Sequence, residues 1–162
     1  GRLPQHVAER QARSANAILE DAGYETAVSI RVVSGMEGPS SPGSVISLWA
    51  ESTPKTFIGA SALGERGKPA ERVGAEAARF MVDQLGSGAV VDLYTADNLI
   101  LWCSLARGES VFTTSRLTQH TLTAIELARI ITGTKFDVEK KPEGAVRLRC
   151  RGVGIENEGC LR

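Results

Sequence analysis

The stretch Phe80-Met81-Val82-Asp83-Gln84-Leu85-Gly86-Ser87-Gly88-Ala89-Val90-Val91 decides how this chain is organised. On its N-terminal side, Val73, Ala77, Phe80, Met81 and Leu85 recur at helical spacing, which predicts a helix over residues 69–85. Gly86-Ser87-Gly88 ends that pattern, because two glycines in three residues weaken a helix and favour a turn. Beyond it, residues 89–93, apolar but for Asp92, read as a short strand. A helix stops and a strand begins, so the chain divides here into residues 1–87, residues 88–152 and a polar tail over 153–162. The fold class is α+β.

Working back from the boundary, residues 56–63 and 44–51 read as two strands joined by a short connection containing Pro54. Ser34-Gly35-Met36-Glu37-Gly38-Pro39-Ser40-Ser41-Pro42-Gly43 is a loop by composition. Val28, Ile30 and Val32 alternate with more polar positions and predict a strand with one buried face. Before them, Val7, Ala8, Ala12, Ala15, Ile18 and Leu19 mark an amphipathic helix, with Pro4 in its first turn and Gly23 at its end. Gly1-Arg2-Leu3-Pro4 enters that helix with no initiator Met and no preceding strand, so the chain reads as a fragment.

Working forward, the order is a strand at 89–93, an apolar helix at 96–106 and a strand at 109–114. A helix at 120–132, closed by Gly133, and strands at 134–140 and 144–150 follow. The Gly-rich tail from Gly152 is expected to fray.

Composition narrows the function classes. The chain is 42% apolar and 23% charged, which places it among globular proteins. Lys and Arg number 19 and so do Asp and Glu, so nucleic acid would have to be held by a local patch rather than by net charge. No apolar run is long enough to span a membrane. Cys103, Cys150 and Cys160 are odd in number and lack metal-site spacing, which predicts structural thiols in a reducing cytoplasm.

Only two histidines are present, His6 and His120. His6 stands beside Glu9 and Arg10 in the first turn of an amphipathic helix and reads as a solvated or capping residue. His120 opens the helix that follows Ser115-Arg116-Leu117-Thr118-Gln119. Helix-terminal N–H groups and the positive end of the helix dipole would face anything placed beside it, and both favour a phosphate. The bland alternative is a capping histidine. Gly64-Glu65-Arg66-Gly67-Lys68-Pro69 precedes a helix but lacks P-loop spacing. It reads as a strand-to-helix turn with Arg66 and Lys68 in solvent, a phosphate or RNA contact being the alternative. Tyr94-Thr95-Ala96-Asp97-Asn98 puts a ring, a carboxylate and an amide at a strand-to-helix junction, suited either to a nucleobase or to capping the helix.

Four segments in order resemble the RNA 3′-terminal phosphate cyclase family: Leu3-Pro4-Gln5-His6-Val7-Ala8-Glu9-Arg10; Gly64-Glu65-Arg66-Gly67 with Ala70-Glu71; Tyr94-Thr95-Ala96-Asp97-Asn98-Leu99; and Thr118-Gln119-His120-Thr121-Leu122-Thr123. The likeness covers nearly all of this chain and the latter half of the family's length. It implies βαβαββ units, a construction shared with enolpyruvyl transferases, and a smaller inserted α+β domain similar to a domain of a bacterial translation initiation factor. Residues 1–87 would be that insert without its first strand, and residues 88–152 would complete the last unit of the main catalytic domain.

The resemblance further implies ATP-dependent conversion of an RNA 3′-terminal phosphate to a 2′,3′-cyclic phosphate. His120 would take AMP covalently from ATP, Tyr94, Thr95, Ala96, Asp97 and Asn98 would line the adenylate pocket, and Mg2+ or Mn2+ would assist. The intact histidine sets the chain with catalytic archaeal or bacterial members. The family often has Gln where Asn98 stands, and Asn where Ala124 follows the His-x-x-Thr pattern. Implied partners are RNA with a 3′-terminal phosphate, an N-terminal half without which the fragment is inactive, and a second copy of the chain. The alternatives are a non-catalytic cyclase-like protein acting in RNA–protein assembly, and an enolpyruvyl-transferase relative.

Overall fold

The computed structural model describes residues 2–33, 38–52, 56–142 and 144–156. It divides into two units, Gly1–Glu51 with Ile58–Asp83 and Ser52–Phe57 with Gln84–Arg162.

In the first unit, α1 (Gln5–Asp21) begins one residue after Pro4, which stands at the N-cap position with extended backbone. Gly23, at φ 86°, takes the left-handed conformation just past its end. The buried face of α1 is Gln11, Ala15 and Leu19. Strands β1 (Val45–Ser52) and β2 (Thr56–Leu63) pair, the Gly64 N–H donating to the Ser44 carbonyl at 2.9 Å. Helix α2 (Ala70–Gly86) packs Val73 and Ala77 on Ala62, with Ile46 and Leu48 beside them. Gly74 lies where α2 meets α1: a β-carbon there would collide with the Gln11 carbonyl. Across the same helix pair Arg10 forks onto Glu71, at 2.6 and 2.8 Å, and these hydrogen bonds hold the Glu71 carboxyl below its ordinary range.

The expected strand around Val28–Val32 does not form. Residues 24–32 are all exposed and outside any sheet, including Val28, Ile30 and Val32. Alternation specifies a strand only when another strand covers one face and takes its hydrogen bonds, and none does so among the described residues. Ser34–Glu37 of the expected loop, the connection at Pro54 and the tail from residue 157 lie outside the described residues.

In the second unit, α3 (Leu93–Leu105), β3 (Arg107–Thr114), α4 (Gln119–Thr132), β4 (Phe136–Lys140) and β5 (Val146–Val153) follow in turn. The sheet order is β3-β5-β4 with both pairings antiparallel, Phe112 and Val138 each lying opposite Leu148. Ala96, Ile100, Phe112, Ala128, Val146 and Leu148 form the core between the two helices and the sheet. The expected strand at 89–93 shrinks to one parallel bridge, Val91 beside Thr114. Helix formation from Leu93 shortens it, because the Asp92 side chain accepts from the N–H groups of Tyr94 and Thr95 at 3.0 and 2.8 Å. Strand β5 runs to Val153 rather than stopping at 150, and Gly154 and Ile155 donate to the Ala106 and Leu105 carbonyls. The first residues of the expected fraying tail are thereby fixed. Gly152 permits this close pass, since a β-carbon would strike the carbonyls of Cys103 and Ala106.

Away from the sheet, the helices leave apolar side chains in solvent: Leu101 and Trp102 on α3, and Leu122, Leu127, Ile130 and Ile131 on α4, the last 77% exposed.

Candidate active site

The site is built at the start of α4. Thr118 caps the helix, and its hydroxyl accepts from the Thr121 N–H at 2.9 Å. Thr121 returns the contact by accepting from the Thr118 N–H at 3.2 Å, which completes a reciprocal capping box. Both hydroxyls then have a lone pair engaged and a proton to give. Both give it to one atom, the Asp97 Oδ1 of α3: Thr118 at 3.0 Å, and Thr121 through a very short contact. Thr121 is fully buried at this point.

His120 lies between these threonines. In a helix, successive side chains are turned about 100° apart, so burying Thr121 sends its neighbour outward. His120 is accordingly exposed, in the first turn where backbone N–H groups have no helical acceptor. An open hollow of about 550 Å³ lies beside it, lined by Asp97, Asn98, Gln119, His120, Thr123, Ala124 and Leu127. That volume is in the range of small-molecule sites. One wall is α3 and the other the N-terminal half of α4, from Gln119 to Leu127.

Asp97, Asn98 and His120 therefore meet, although more than twenty residues separate them in sequence. Tyr94 lies one turn before Asn98 on α3, 62% exposed, and its carbonyl accepts from the Asn98 side-chain amide at 2.9 Å. Thr95 and Ala96 do not line the hollow. The Thr95 hydroxyl donates to Asp92 at 2.9 Å, and Ala96 is fully buried in the core. The reading of Asp97 and Asn98 as helix caps is corrected, since Asp92 holds that place and both residues sit in the second turn. Arg66 and Lys68 belong to the first unit, where Arg66 is exposed and Lys68 pairs with Glu76 at 2.5 Å. His6, also in that unit, is exposed.

Sequence reasoning left Thr118 and Thr121 without a role. Their spacing, one hydroxyl residue three before another and just ahead of an apolar helix, was the available signal. The convergence of both on Asp97 had no local signal at all.

Among the described residues, no group of three or more His, Cys, Asp or Glu side chains could hold a metal ion. No described helix is long and apolar enough to cross a membrane.

Comparison with known proteins supplies the deciding observation: residues 1–86 match the family described as RNA 3′-terminal phosphate cyclase, insert domain. The chain belongs to the RNA 3′-terminal phosphate cyclase family. Similarity continues through the second unit. The RNA 3′-terminal phosphate cyclase of Staphylothermus marinus is 44% identical over 159 residues, covering 95% of this chain and 44% of the relative. That of Pyrobaculum neutrophilum is 43% identical over 152 residues, 94% of this chain and 43% of the relative. For Methanothermobacter thermautotrophicus the figures are 44% over 146 residues, 90% and 42%. The chain thus spans less than half the length of the curated cyclase relatives it matches.

Proposed function

We propose that this chain supplies the nucleotidyl-transfer part of an RNA 3′-terminal phosphate cyclase. His120 is the nucleophile, and the hollow at α3 and α4 is the adenylate pocket. The observation that carries this reading is the meeting of His120 with Asp97 and Asn98 in one open hollow at a helix N-terminus. An exposed imidazole in the first turn of a helix suits attack on a phosphorus atom whose charge the positive end of the helix dipole offsets. Tyr94, exposed one turn away, would stack on the base.

In this reading an imidazole nitrogen of His120 attacks the α-phosphorus of ATP and pyrophosphate leaves. A 3′-phosphate oxygen of the RNA then takes the adenylyl group from the histidine. The neighbouring 2′-hydroxyl closes on the activated 3′-phosphorus, AMP departs, and the 2′,3′-cyclic phosphate remains. Activation is needed because oxide does not leave from a phosphate monoester, whereas AMP does. A covalent intermediate divides one difficult displacement into easier ones. A divalent metal, Mg2+ or Mn2+, would offset charge on the triphosphate, but no described metal cluster assigns it to residues of this chain.

Residues 1–87 are, in this reading, the inserted α+β domain, and residues 88–152 are the closing βαβαββ-type part of the catalytic domain. Further chain, RNA-contacting basic groups included, would come from the rest of the polypeptide. The test is incubation of the full-length protein with α-labelled ATP and a divalent metal. Acid-labile label is expected on His120 and none on a folded His120→Ala variant. Full labelling of that variant would overturn the assignment.

A further inference from the structure

Beyond the nucleophile itself, the geometry points to Asp97 as its positioning residue. We infer that Asp97 acts by locking the first turn of α4, its Oδ1 taking the hydroxyl protons of Thr118 and Thr121. This inference rests on the reading of His120 given above and goes further by assigning how the histidine is held.

A hydroxyl has one proton to donate. Thr118 and Thr121 each accept a backbone N–H from the other, and both lie within hydrogen-bond reach of the same Asp97 oxygen. The hydroxyls also lie 3.0 Å apart, so without the carboxylate one would turn to the other and the second proton would lose its acceptor. With it, both protons have one destination and the α4 N-terminus is tied to α3. Asp97 Oδ1 is thereby occupied by protein donors. His120 lies two residues after Thr118 and one before Thr121, so freedom in the first turn is freedom in the nucleophile.

Displacement of a reacting group by about 1 Å costs on the order of 100-fold in rate. Asp97→Ala is therefore expected to slow adenylylation of His120 in the full-length protein by roughly that factor at saturating ATP, with the KM for ATP changed by less than about threefold. Asp97→Asn keeps an oxygen that accepts both protons and should restore most of the rate. Thr121→Val should match Asp97→Ala, Thr121→Ser should stay near wild type, and the Asp97→Ala, Thr121→Val double variant should be no slower than either single one. Amide exchange at residues 119–122 should quicken in Asp97→Ala while exchange in β5 is unchanged.

A rise in KM with the saturated rate intact would make Asp97 a nucleotide ligand and overturn the inference. So would wild-type labelling in Thr121→Val, or additive losses in the double variant. If the wild-type protein takes no label, the proposed function falls instead. The lock is then judged by exchange alone, and unchanged exchange at 119–122 refutes it.

Discussion

Replacing Gln84 with Met tests whether one buried amide joins the parts of the second unit as described. Gln84 is 1% exposed, and its Oε1 accepts from the Leu93 N–H at 3.1 Å and the Ser115 hydroxyl at 2.7 Å. Met has nearly the same length and volume, so the change removes the acceptor without opening a cavity. The Ser115 hydroxyl can rotate, and losing its bond costs about 1 kcal/mol. The Leu93 N–H opens α3, has no helical acceptor and is buried, so orphaning it costs about 1–3 kcal/mol. Greater apolar burial by Met offsets about 1 kcal/mol. The net is roughly 2 kcal/mol, or a Tm lower by roughly 4–8 °C for a chain of this size. Differential scanning calorimetry reads the Tm, and amide exchange at Leu93 reads the local cause. A variant within about one degree of wild type, with Leu93 exchange unchanged, would refute the assigned role.

Gly74→Ala pushes a β-carbon into the Gln11 carbonyl and should cost about 1–3 kcal/mol, seen as a lower urea midpoint; an unchanged midpoint would contradict the close α1–α2 approach. Tyr94→Ala should lose about 1–3 kcal/mol of ATP binding in the full-length protein by titration calorimetry, and unaltered affinity would place the base elsewhere. Burial, with Cys103 adding to it, pushes the Cys150 thiol up to about 11, so iodoacetamide at pH 8 should modify Cys103 before Cys150 in the native protein. Because that folded value lies above the unfolded one, near 8.5, stability from this group is full at lower pH and falls as pH rises from about 8.5 to 11. Cys150→Ala should flatten that fall in pH-dependent denaturation.

The elements most legible in sequence were those with a clear period or a clear stop. Helix α4 is closed by Gly133 at its end, and β2 alternates cleanly enough that Ile58, Ala60 and Ala62 face the core. Residues 89–93 misled because a short apolar run has no period that separates a strand from a helix entry. Asp92, followed by Thr95, was the overlooked start signal. Val28, Ile30 and Val32 carried a sound alternating pattern, but pairing is decided by what lies alongside, which no local pattern contains. Gln11 and Gln84 were invisible as buried polar residues for the same reason: their partners Ser44 and Ser115 are 33 and 31 residues away. At the site, His120 was legible by elimination and by its helix start. Its surroundings depended on Asp97 reaching across 24 residues to Thr121.

The placement of His120 also separates chemistry from shape. Half-buried Thr118 and fully buried Thr121 carry the tie to α3, while the exposed imidazole fills no part of the core. A surface substitution away from core, cap or charge network changes stability by no more than about 0.5 kcal/mol. The residue proposed to do the chemistry can therefore be exchanged with little consequence for folding. A cyclase-like protein could fall chemically mute by a single codon and keep its architecture, leaving selection free to retain the fold for another use.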